Sequence, residues 1–434
     1  MFSICLKCKG LGRLPCRCKQ HGSRLPRQAF KGAIQPFNRA KLCNIGHSLP
    51  DCSSPYIAFC GRLIAAKPSA IKVLLSPGSF SDRGRTLGFN LTHPSITIRR
   101  ADLVQDRNVL IDTLARHLTH TSDPKRFDWL YCQNPHGPAR VWLATDSETS
   151  NVVGVSGAFA RRVVVDGVEK SGWVLGDFCI AEGYRSLGPA LQLQKATMEQ
   201  IQESKTDFWY DFPSRGLMAI YRRLGMKATG QMVRLAKPLR LERKLQQLSG
   251  SRALANSAGW LGNALLEISD TSFAGKSRWD IAIHDGECGD EFTALRDGNP
   301  VPRGIEIKRC AEYLNWRYLR HPLAKYFILT ARRGATLGGY IVFSCTGEDA
   351  HIAEWCTGGE PGMLQFLMND LARRLRKEKI MTISAFLMEA DPRLPQLTAA
   401  GFRRRESTDV VVSCQESAWL SEQPWLLMQG DRDI

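Results

Sequence analysis

The sequence predicts an α+β protein, with α/β character in part, built from two mixed β-sheet domains with flanking helices and preceded by a disordered basic tail. Three observations predict this class. Of the 434 residues, 43% are hydrophobic, which is enough to fill the cores of two or three domains. From residue 96 onward, segments whose apolar residues recur with the period of a strand are interspersed with segments whose apolar residues recur with the period of a helix. The excess positive charge and half of the cysteines lie before that point.

The first 95 residues form the expected tail. They contain 15 of the 59 basic residues and only two of the 42 acidic residues of the chain. They are also rich in Ser, Pro and Gly and show no sustained period, a composition that does not bury a core. The remaining 339 residues hold 44 basic and 40 acidic residues. The net charge of +17 therefore gives no reason to expect nucleic-acid binding by the body of the protein, although the tail stays a candidate.

The tail permits three interpretations, and the sequence leaves all three open. Cys5, Cys8, Cys16, Cys18 and His21 offer thiolate and imidazole ligands for a structural zinc ion, but their spacing is irregular. A basic arm that contacts nucleic acid or acidic surfaces is the second interpretation. The third is an extension without function. No metal is expected in the body.

Composition also indicates the compartment. No window approaches the roughly 20 apolar residues that a membrane-spanning helix needs. The basic N-terminus lacks the apolar stretch of a secretory signal. We therefore expect a cytoplasmic protein without a membrane span, in which the seven cysteines of the body are free thiols.

The first domain, residues 96–240, is predicted as β-α-β-β-β-α-β-α-β. Alternating Ile96 and Ile98 indicate the first strand, and Leu110 and Leu114 lie on one face of the first helix. The remaining elements are two paired strands (141–145 and 152–165), a strand at 173–180 reached through an Asp-Gly turn, a helix from Pro189 to about Glu203, a strand at 208–212, a helix capped by Ser214 and a closing strand at 232–235.

A similar order is predicted for residues 291–434, after a helical connector at 241–290. Its elements are a helix at 309–318, strands at 326–331, 339–345 and 351–356, a helix with an apolar stripe from Leu364 to Leu375, a strand at 382–387, a short helix at 394–400 and a closing strand at 410–413. The two domains therefore look like a divergent internal duplication.

The segment Asp177 to Ala190 carries the strongest chemical signal, because a strand runs into a glycine-bearing loop and then into a helix N-terminus. The first N–H groups of a helix have no intrahelical partner, and the helix dipole is positive there, so this junction suits a pyrophosphate. Arg185 offers a charge-assisted contact. An ordinary strand-to-helix turn is the alternative, and the segment is neither a P-loop nor a Gly-x-Gly-x-x-Gly motif.

These residues resemble a known family. The hexapeptide Arg185-Ser186-Leu187-Gly188-Pro189-Ala190 resembles the Arg/Gln-x-x-Gly-x-Gly/Ala signature of the GNAT acyltransferase superfamily. The helix end Ala219 to Met226 is similar to another motif of that superfamily, and pieces of the second domain resemble tandem GNAT proteins. The resemblance covers residues 96–413. Three departures are Pro189, which lacks an N–H, Ser214 in place of asparagine, and Met226 in place of phenylalanine.

The resemblance implies transfer of an acyl group from acetyl-CoA, or another acyl-CoA, to an amine. It implies that the strand residues Phe178, Cys179 and Ile180 pair with the pantetheine arm. It further implies that the loop from Arg185 to Ala190, together with Ser214, contacts the phosphates. Tyr221 would protonate the departing thiolate, although a structural core tyrosine is an equally good interpretation.

A base must also take a proton from the attacking ammonium. Asp177 is the first candidate, because its side chain should lie opposite that of Phe178. A carboxylate paired with Arg161 or Arg162 is the alternative interpretation, and Asp211 is a weaker candidate base. In the second domain, Glu360 follows the corresponding strand and the last helix lacks a tyrosine, so we expect CoA binding in the first domain only.

Three functions remain open from the sequence. The first is an acyl-CoA-dependent N-acyltransferase whose acceptor is a small molecule or a peptide with an amine. The second is an aminoacyl-tRNA-dependent peptidyl transferase, which the intact loop at Arg185 argues against. The third is a non-catalytic binding protein on a degenerate tandem GNAT fold. The oligomeric state is left open.

Overall fold

A computed structural model of the protein describes residues 95–118, 123–165, 168–185, 187–204, 206–242, 279–299, 304–414 and 423–432. All of them belong to one compact unit, Leu87–Ile434. The predictions for the tail, including the zinc ligands, and for most of the helical connector lie outside the described residues. Within the described part, the α+β class with a mixed sheet and flanking helices is confirmed.

The first half follows the predicted order. Its elements are β1 (Ile96–Arg100), α1 (Arg107–His117), α2 (Pro124–Phe127), β2 (Arg140–Asp146), β3 (Val152–Val165), β4 (Val168–Ile180), α3 (Leu187–Glu203), β5 (Phe208–Asp211), α4 (Arg215–Arg223) and β6 (Gly230–Pro238). Three features differ from the prediction. The short helix α2 and a π-helical turn, Asp128–Cys132, lie between α1 and β2. Helix α3 begins at Leu187, two residues before Pro189.

The second half repeats this order element by element. It consists of β7 (Asp280–Ile283), α5 (Asp290–Asp297), α6 (Ala311–Leu314), a second π-helical turn (Asn315–Leu319), β8 (Tyr326–Arg333), β9 (Thr336–Thr346), β10 (Asp349–Thr357), α7 (Met363–Lys377), β11 (Thr382–Met388), α8 (Leu394–Ala399) and β12 (Arg403–Cys414). The strand β7 lies within the range expected to be a helical connector, and its pairing with β8 accounts for its extended form.

The two halves exchange their last strands within one sheet of 12 strands. The strand order is β1-β2-β3-β4-β5-β12-β6-β11-β10-β9-β8-β7. The closing strand of the first half, β6, pairs with β11 of the second half. In return, β12 pairs with β5 of the first half through Val411–Cys414. Each half therefore completes the sheet of the other.

Alternate residues of β3 face two different cores. Val155, Phe159 and Val163 pack with α1 and with residues of the second half in one buried cluster. Ala158 faces the opposite side, in a cluster that includes residues of α3 and α4, and Val153 joins that cluster because a β-bulge between β2 and β3 interrupts the alternation before Val155. Period-two alternation thus places α1 on one face of the first half and the helices α3 and α4 on the other.

Candidate functional site

The strands β4 and β5 separate after three paired residues. Gly172–Val174 pair in parallel with Phe208–Tyr210, but β4 continues to Ile180, paired only with β3. Among the described strands, none pairs with the free edge of β4 beyond this point. The separation leaves an opening with a strand backbone along one wall. Gly172 permits the close approach at its narrow end, because a Cβ there would lie 2.2 Å from the main-chain oxygen of Phe208.

A β-bulge lies on the part of β4 that borders this opening. Val155 pairs with Cys179 and Gly157 pairs with Gly176, so two residues of β4 face one residue of β3. One of the two, Asp177, has a left-handed backbone with φ of +47°. Aspartate visits this region more readily than most residues other than glycine. The bulge reorients the backbone where the two strands part.

The side chain of Asp177 is enclosed by two donors. Arg126 donates to both carboxylate oxygens, at 2.9 and 3.1 Å, and the hydroxyl of Tyr131 donates to one of them at 2.6 Å. All three side chains are buried. The ion-pair partner is therefore Arg126, and not Arg161 or Arg162 as the sequence suggested. Burial and the Asp177 carboxylate raise the pKa of Tyr131 well above its ordinary value, so its hydroxyl stays protonated.

The loop after β4 forms a short 3-10 turn from Glu182 to Tyr184. The exposed Arg185 follows, and its Nε donates to the main-chain oxygen of Ile180 at 3.3 Å. The hydroxyl of Tyr184 donates to Asp146 at 2.6 Å. This hydrogen bond and donors from the following turn lower the pKa of Asp146 to about 2. The loop is thus tied to the end of β2 on one side and to the opening on the other.

Helix α3 begins directly after this loop. Leu187, Gly188, Pro189 and Ala190 form its first turn, while Ser186 lies outside the described residues. The N–H groups of a first turn have no intrahelical acceptor. Pro189 contributes none. The predicted phosphate-binding residues therefore lie at a helix N-terminus, as the motif indicates, with one donor fewer than a loop without proline.

Tyr221 lies fully buried on α4, whose N-cap is Ser214. Its hydroxyl donates to Asp211 at 2.6 Å and accepts from Gln194 of α3 at 2.9 Å. Asp211 is the residue that follows the last pair between β5 and β4, so this hydroxyl meets the strand where the opening begins. Burial, and then Asp211, raise the pKa of Tyr221 well above its ordinary value. It is protonated at neutral pH.

The predicted pantetheine-pairing residues line the free part of β4. Phe178 is half-buried, whereas Cys179 and Ile180 are buried. Burial raises the pKa of the Cys179 thiol to about 12. A thiol with that pKa forms almost no thiolate at neutral pH, which excludes Cys179 as a nucleophile.

The corresponding opening in the second half is filled by the C-terminal segment, which we define as residues 423–432. The strands β10 and β11 pair in parallel over Asp349–Ile352 and Thr382–Ala385 and then separate. The C-terminal segment enters between them, where Leu387 and Met428 form an antiparallel bridge. Among the described residues, the C-terminal segment therefore occupies the place in the second half that corresponds to the opening in the first half.

A buried ionic network fixes the C-terminal segment. Glu354 lies at the bulge of β10 and accepts from Arg309 at 2.8 Å and from the hydroxyl of Tyr318 at 2.6 Å. Arg309 also donates to Asp431 of the segment. Arg309, Glu354 and Asp431 are at most 1% exposed. The Tyr318–Glu354 contact repeats the Tyr131–Asp177 contact of the first half.

Sequence reasoning missed the residues that hold the bulge, Arg126 and Tyr131. A signal exists for Tyr131, because the π-helical turns read Asp-Trp-Leu-Tyr-Cys at 128–132 and Asn-Trp-Arg-Tyr-Leu at 315–319. The shared Trp-x-Tyr places a tyrosine at the same position in each half. Comparing the two segments would have marked Tyr131 and Tyr318 as equivalent residues, although not their carboxylate partners.

The described part of the chain contains no disulfide, no metal-binding cluster and no membrane-spanning helix. Its seven cysteines are free thiols. No group of three or more His, Cys, Asp or Glu side chains in the described ranges is arranged to hold a metal ion. None of the helices described above is long and apolar enough to cross a membrane.

No family model matches this chain, and no curated protein sequence is similar to it. Solved structures do match. A protein of unknown function from Enterococcus faecalis, named a probable N-acyltransferase, has a TM-score of 0.53, 12% identity, and coverage of 74% of this chain and 73% of its own. A GCN5-related N-acetyltransferase from Anabaena variabilis has the same TM-score and coverage, at 14% identity. The chain therefore has the fold of the GNAT superfamily, the GCN5-related N-acetyltransferases.

Proposed function

We propose that this protein is an acyltransferase that moves an acetyl or other short acyl group from an acyl-CoA to an amine. One observation carries the proposal: β4 leaves β5 with a free, bulged edge and leads directly into the N-terminus of α3. A free strand edge suits the amide groups of a pantetheine arm, and a helix N-terminus suits phosphates. The two features lie in consecutive segments, as one extended donor requires.

In this proposal Phe178, Cys179 and Ile180 contact the pantetheine arm through their backbone. The first turn of α3, from Leu187 to Ala190, and the exposed Arg185 bind the pyrophosphate. Ser214 caps α4 through its side chain, so its expected contribution to donor binding is to order the start of that helix. Main-chain N–H groups at the bulge would polarise the thioester carbonyl as negative charge develops on its oxygen.

We assign Tyr221 the role of the acid that protonates the departing thiolate. Its raised pKa keeps the proton on the hydroxyl at neutral pH, and its contact with Asp211 lies at the start of the opening. Proton donation requires that the hydrogen bond to Asp211 be exchanged for one to the sulfur. Gln194 holds the hydroxyl from the other side.

The role of Asp177 as the base stays a prediction, and its contacts favour another role. Its carboxylate accepts from Arg126 and Tyr131, so both oxygens already have partners. We propose that Asp177 is a positioning residue, which holds the bulge and with it the backbone donors that face the thioester. Asp177→Asn separates the two roles. A missing base removes the acidic limb of the pH–rate profile, whereas a disturbed bulge weakens acyl-CoA binding at every pH.

The proposal places acyl-CoA in the first half only. The C-terminal segment occupies the equivalent opening of the second half, and the exposed Glu360 precedes α7 there. A carboxylate beside a helix N-terminus opposes the binding of a phosphate. The second half then acts as a structural partner or as part of the acceptor site.

Calorimetry of the full chain with acetyl-CoA tests the proposal. Arg185→Glu should weaken binding at least about tenfold, because it replaces a cation near the pyrophosphate by an anion. Arg223→Glu makes the same charge change on an exposed residue at the end of α4 and should leave binding unchanged. Absence of binding by the wild-type chain would favour the non-catalytic binding protein. Binding without thiol release across a panel of amines would contradict the transfer reaction.

A further inference from the structure

A cavity lies beside the part of β4 that precedes its separation from β5, at Ser171, Gly172 and Trp173. Its volume is about 290 Å³. It is formed where the loop before β2, the end of β3, the start of β4 and the residues after α3 meet. Its lining consists of Arg100, His136, Gly137, Pro138, Ala139, Arg140, Ala160, Arg161, Ser171, Gly172, Trp173, Ser204 and Thr206.

The side chains that line the cavity include cationic groups but no anionic group. The lining contains three arginines and one histidine but no carboxylate. The carboxylates Glu199 and Glu203 line an adjoining groove, which shares Arg100, Arg140 and Ser204 with the cavity, but neither carboxylate forms an ion pair with these arginines. Three hydroxyl side chains complete the polar lining, from Ser171, Ser204 and Thr206.

Arg100 and Arg140 are adjacent cations without a carboxylate partner in the described part of the chain. The guanidinium of Arg140 lies 4.6 Å from the ring centroid of Trp173, which fixes its position against the wall of the cavity. Burial and the neighbouring Arg100 both lower the pKa of Arg140. Two arginines held together in this way repel each other until an anion lies between them.

His136 is the most unusual residue of the lining. It is only 9% exposed, and within the described ranges neither of its ring nitrogens has a hydrogen-bond partner. Its ring stacks on Tyr313, with 4.7 Å between the centroids. Arg161 is 1% exposed and forms no ion pair with a described residue. A buried polar group without a partner costs free energy, so native proteins keep few of them without a function.

The cavity is well separated from the proposed donor site. Gly172 precedes Ile180 by eight residues on β4, which amounts to about 26 Å along a strand at roughly 3.3 Å per residue. The residues assigned to acyl-CoA follow Ile180, whereas the cavity lies around Gly172. An anion bound here is therefore a molecule other than the proposed acyl donor.

We propose that this cavity binds a compact oxyanion with two negative charges, carried either by a phosphate monoester or by a dicarboxylate. Arg100 and Arg140 supply charge-assisted hydrogen bonds, and guanidinium groups match the geometry of phosphate and carboxylate oxygens. A ring N–H of His136 and the nearby hydroxyl groups contribute further donors. The volume admits a small molecule.

Calorimetric titration of the full chain with inorganic phosphate, and separately with succinate, tests the proposal and distinguishes the two sources of charge. Binding of at least one probe is expected. Arg140→Gln and Arg100→Gln should each weaken it about tenfold or more, whereas the control Arg223→Gln should not change it. Equal affinity of the wild-type chain and both cavity variants would overturn the proposal, as would the absence of binding of both probes at millimolar concentration.

Two further measurements locate the bound probe. The ring signals of His136 in NMR spectra should shift on titration with the probe, and an unchanged His136 would place the anion elsewhere and contradict the proposal. Saturating acetyl-CoA should leave the affinity for the probe unchanged. Displacement of the probe by acetyl-CoA would assign the cavity to the donor and overturn a separate site. These outcomes do not depend on whether the protein transfers acyl groups.

Discussion

The indole N–H of Trp129 donates to the main-chain oxygen of Trp316 at 2.7 Å, and the indole N–H of Trp316 donates to the main-chain oxygen of Trp129 at 2.9 Å. The two rings stack with 5.0 Å between their centroids. Each tryptophan lies in the π-helical turn of its half. This reciprocal pair therefore joins the two halves through equivalent positions.

Trp129→Phe should lower the free energy of unfolding by about 1–3 kcal/mol, because it retains a stacked ring but leaves the buried oxygen of Trp316 without a donor. Trp316→Phe should have a similar cost. Urea denaturation measures both. Trp279→Phe is the control, since its indole N–H donates to the exposed Glu360 and its loss should cost less than about 1 kcal/mol. Equal costs for Trp129→Phe and the control would contradict the prediction.

Arg126→Leu should lower the free energy of unfolding by about 3–5 kcal/mol, because it leaves the buried carboxylate of Asp177 without its cation. The matched control is Arg99→Leu. It breaks an ion pair with Asp106 in which the arginine side chain is 52% exposed, and such pairs contribute no more than about 1 kcal/mol. Thermal or urea unfolding of the two variants gives the comparison. A cost for Arg126→Leu as small as that of the control would show that Asp177 does not need this partner.

Tyr221→Phe should lower kcat about 100-fold while the Kd for acetyl-CoA changes little, because the hydroxyl contributes only when the thiolate leaves. Thiol release from acetyl-CoA in the presence of an accepted amine measures the rate. Tyr340→Phe removes another buried hydroxyl that donates to a carboxylate, Glu354, in the second half. That variant should retain turnover. Full activity of Tyr221→Phe would remove the acid assignment but leave the reaction class intact.

Gly430→Ala should lower the free energy of unfolding by about 1–3 kcal/mol through overpacking. An added Cβ would lie 2.0 Å from the hydroxyl oxygen of Tyr318. In the double variant with Tyr318→Phe that oxygen is absent. The free-energy costs of the single variants Gly430→Ala and Tyr318→Phe should therefore sum to more than the cost of the double variant. Strict additivity would mean that the C-terminal segment moves away from Tyr318 without penalty.

His136 should make stability depend on pH. Burial, and then the nearby Arg161, lower its pKa from 6.5 to about 3 in the folded protein. The folded state therefore binds fewer protons than the unfolded state between these values. The stabilisation is complete above about pH 6.5 and is lost as the pH falls toward 3.

His136→Phe retains the ring that stacks on Tyr313 and removes this titration. Between pH 6.5 and 5 the free energy of unfolding of the wild-type chain should fall by about 2 kcal/mol more than that of the variant. His321, whose pKa is lowered to about 4, is present in both proteins and cancels in the difference. Parallel pH dependences of the two proteins would contradict the prediction.

Apart from β7, the strands were predictable, as were the long helices α1, α3 and α7, because their hydrophobic periods are local. The partner of each strand was not. Gly230–Pro238 and Arg403–Cys414 have patterns that identify them as strands, but a period of two carries no information about which edge a strand joins. The exchange of β6 and β12 follows from tertiary packing, so no reading of either segment alone reveals it.

The candidate site was predictable only where its residues are consecutive. The loop from Arg185 to Ala190 and the start of α3 lie where the motif indicates. The ion-pair partner of Asp177, Arg126, is 51 residues away in the chain, in the four-residue helix α2, which is too short to produce a helical stripe. The second partner, Tyr131, lies in the π-helical turn that follows, whose i to i+5 pattern does not produce one either. Arg126 therefore could not be distinguished from Arg161 or Arg162 by sequence spacing.

The strand exchange also has a consequence for synthesis on the ribosome. When β5 has emerged, the neighbour that covers its outer edge, β12, is still about 190 residues from being made. Until then β5 presents an unpaired edge and β6 has no partner strand, two features that favour aggregation of a nascent chain. The first half therefore cannot mature before the second half is complete. A gene fragment that ends after residue 240 should yield an insoluble product rather than a small active enzyme.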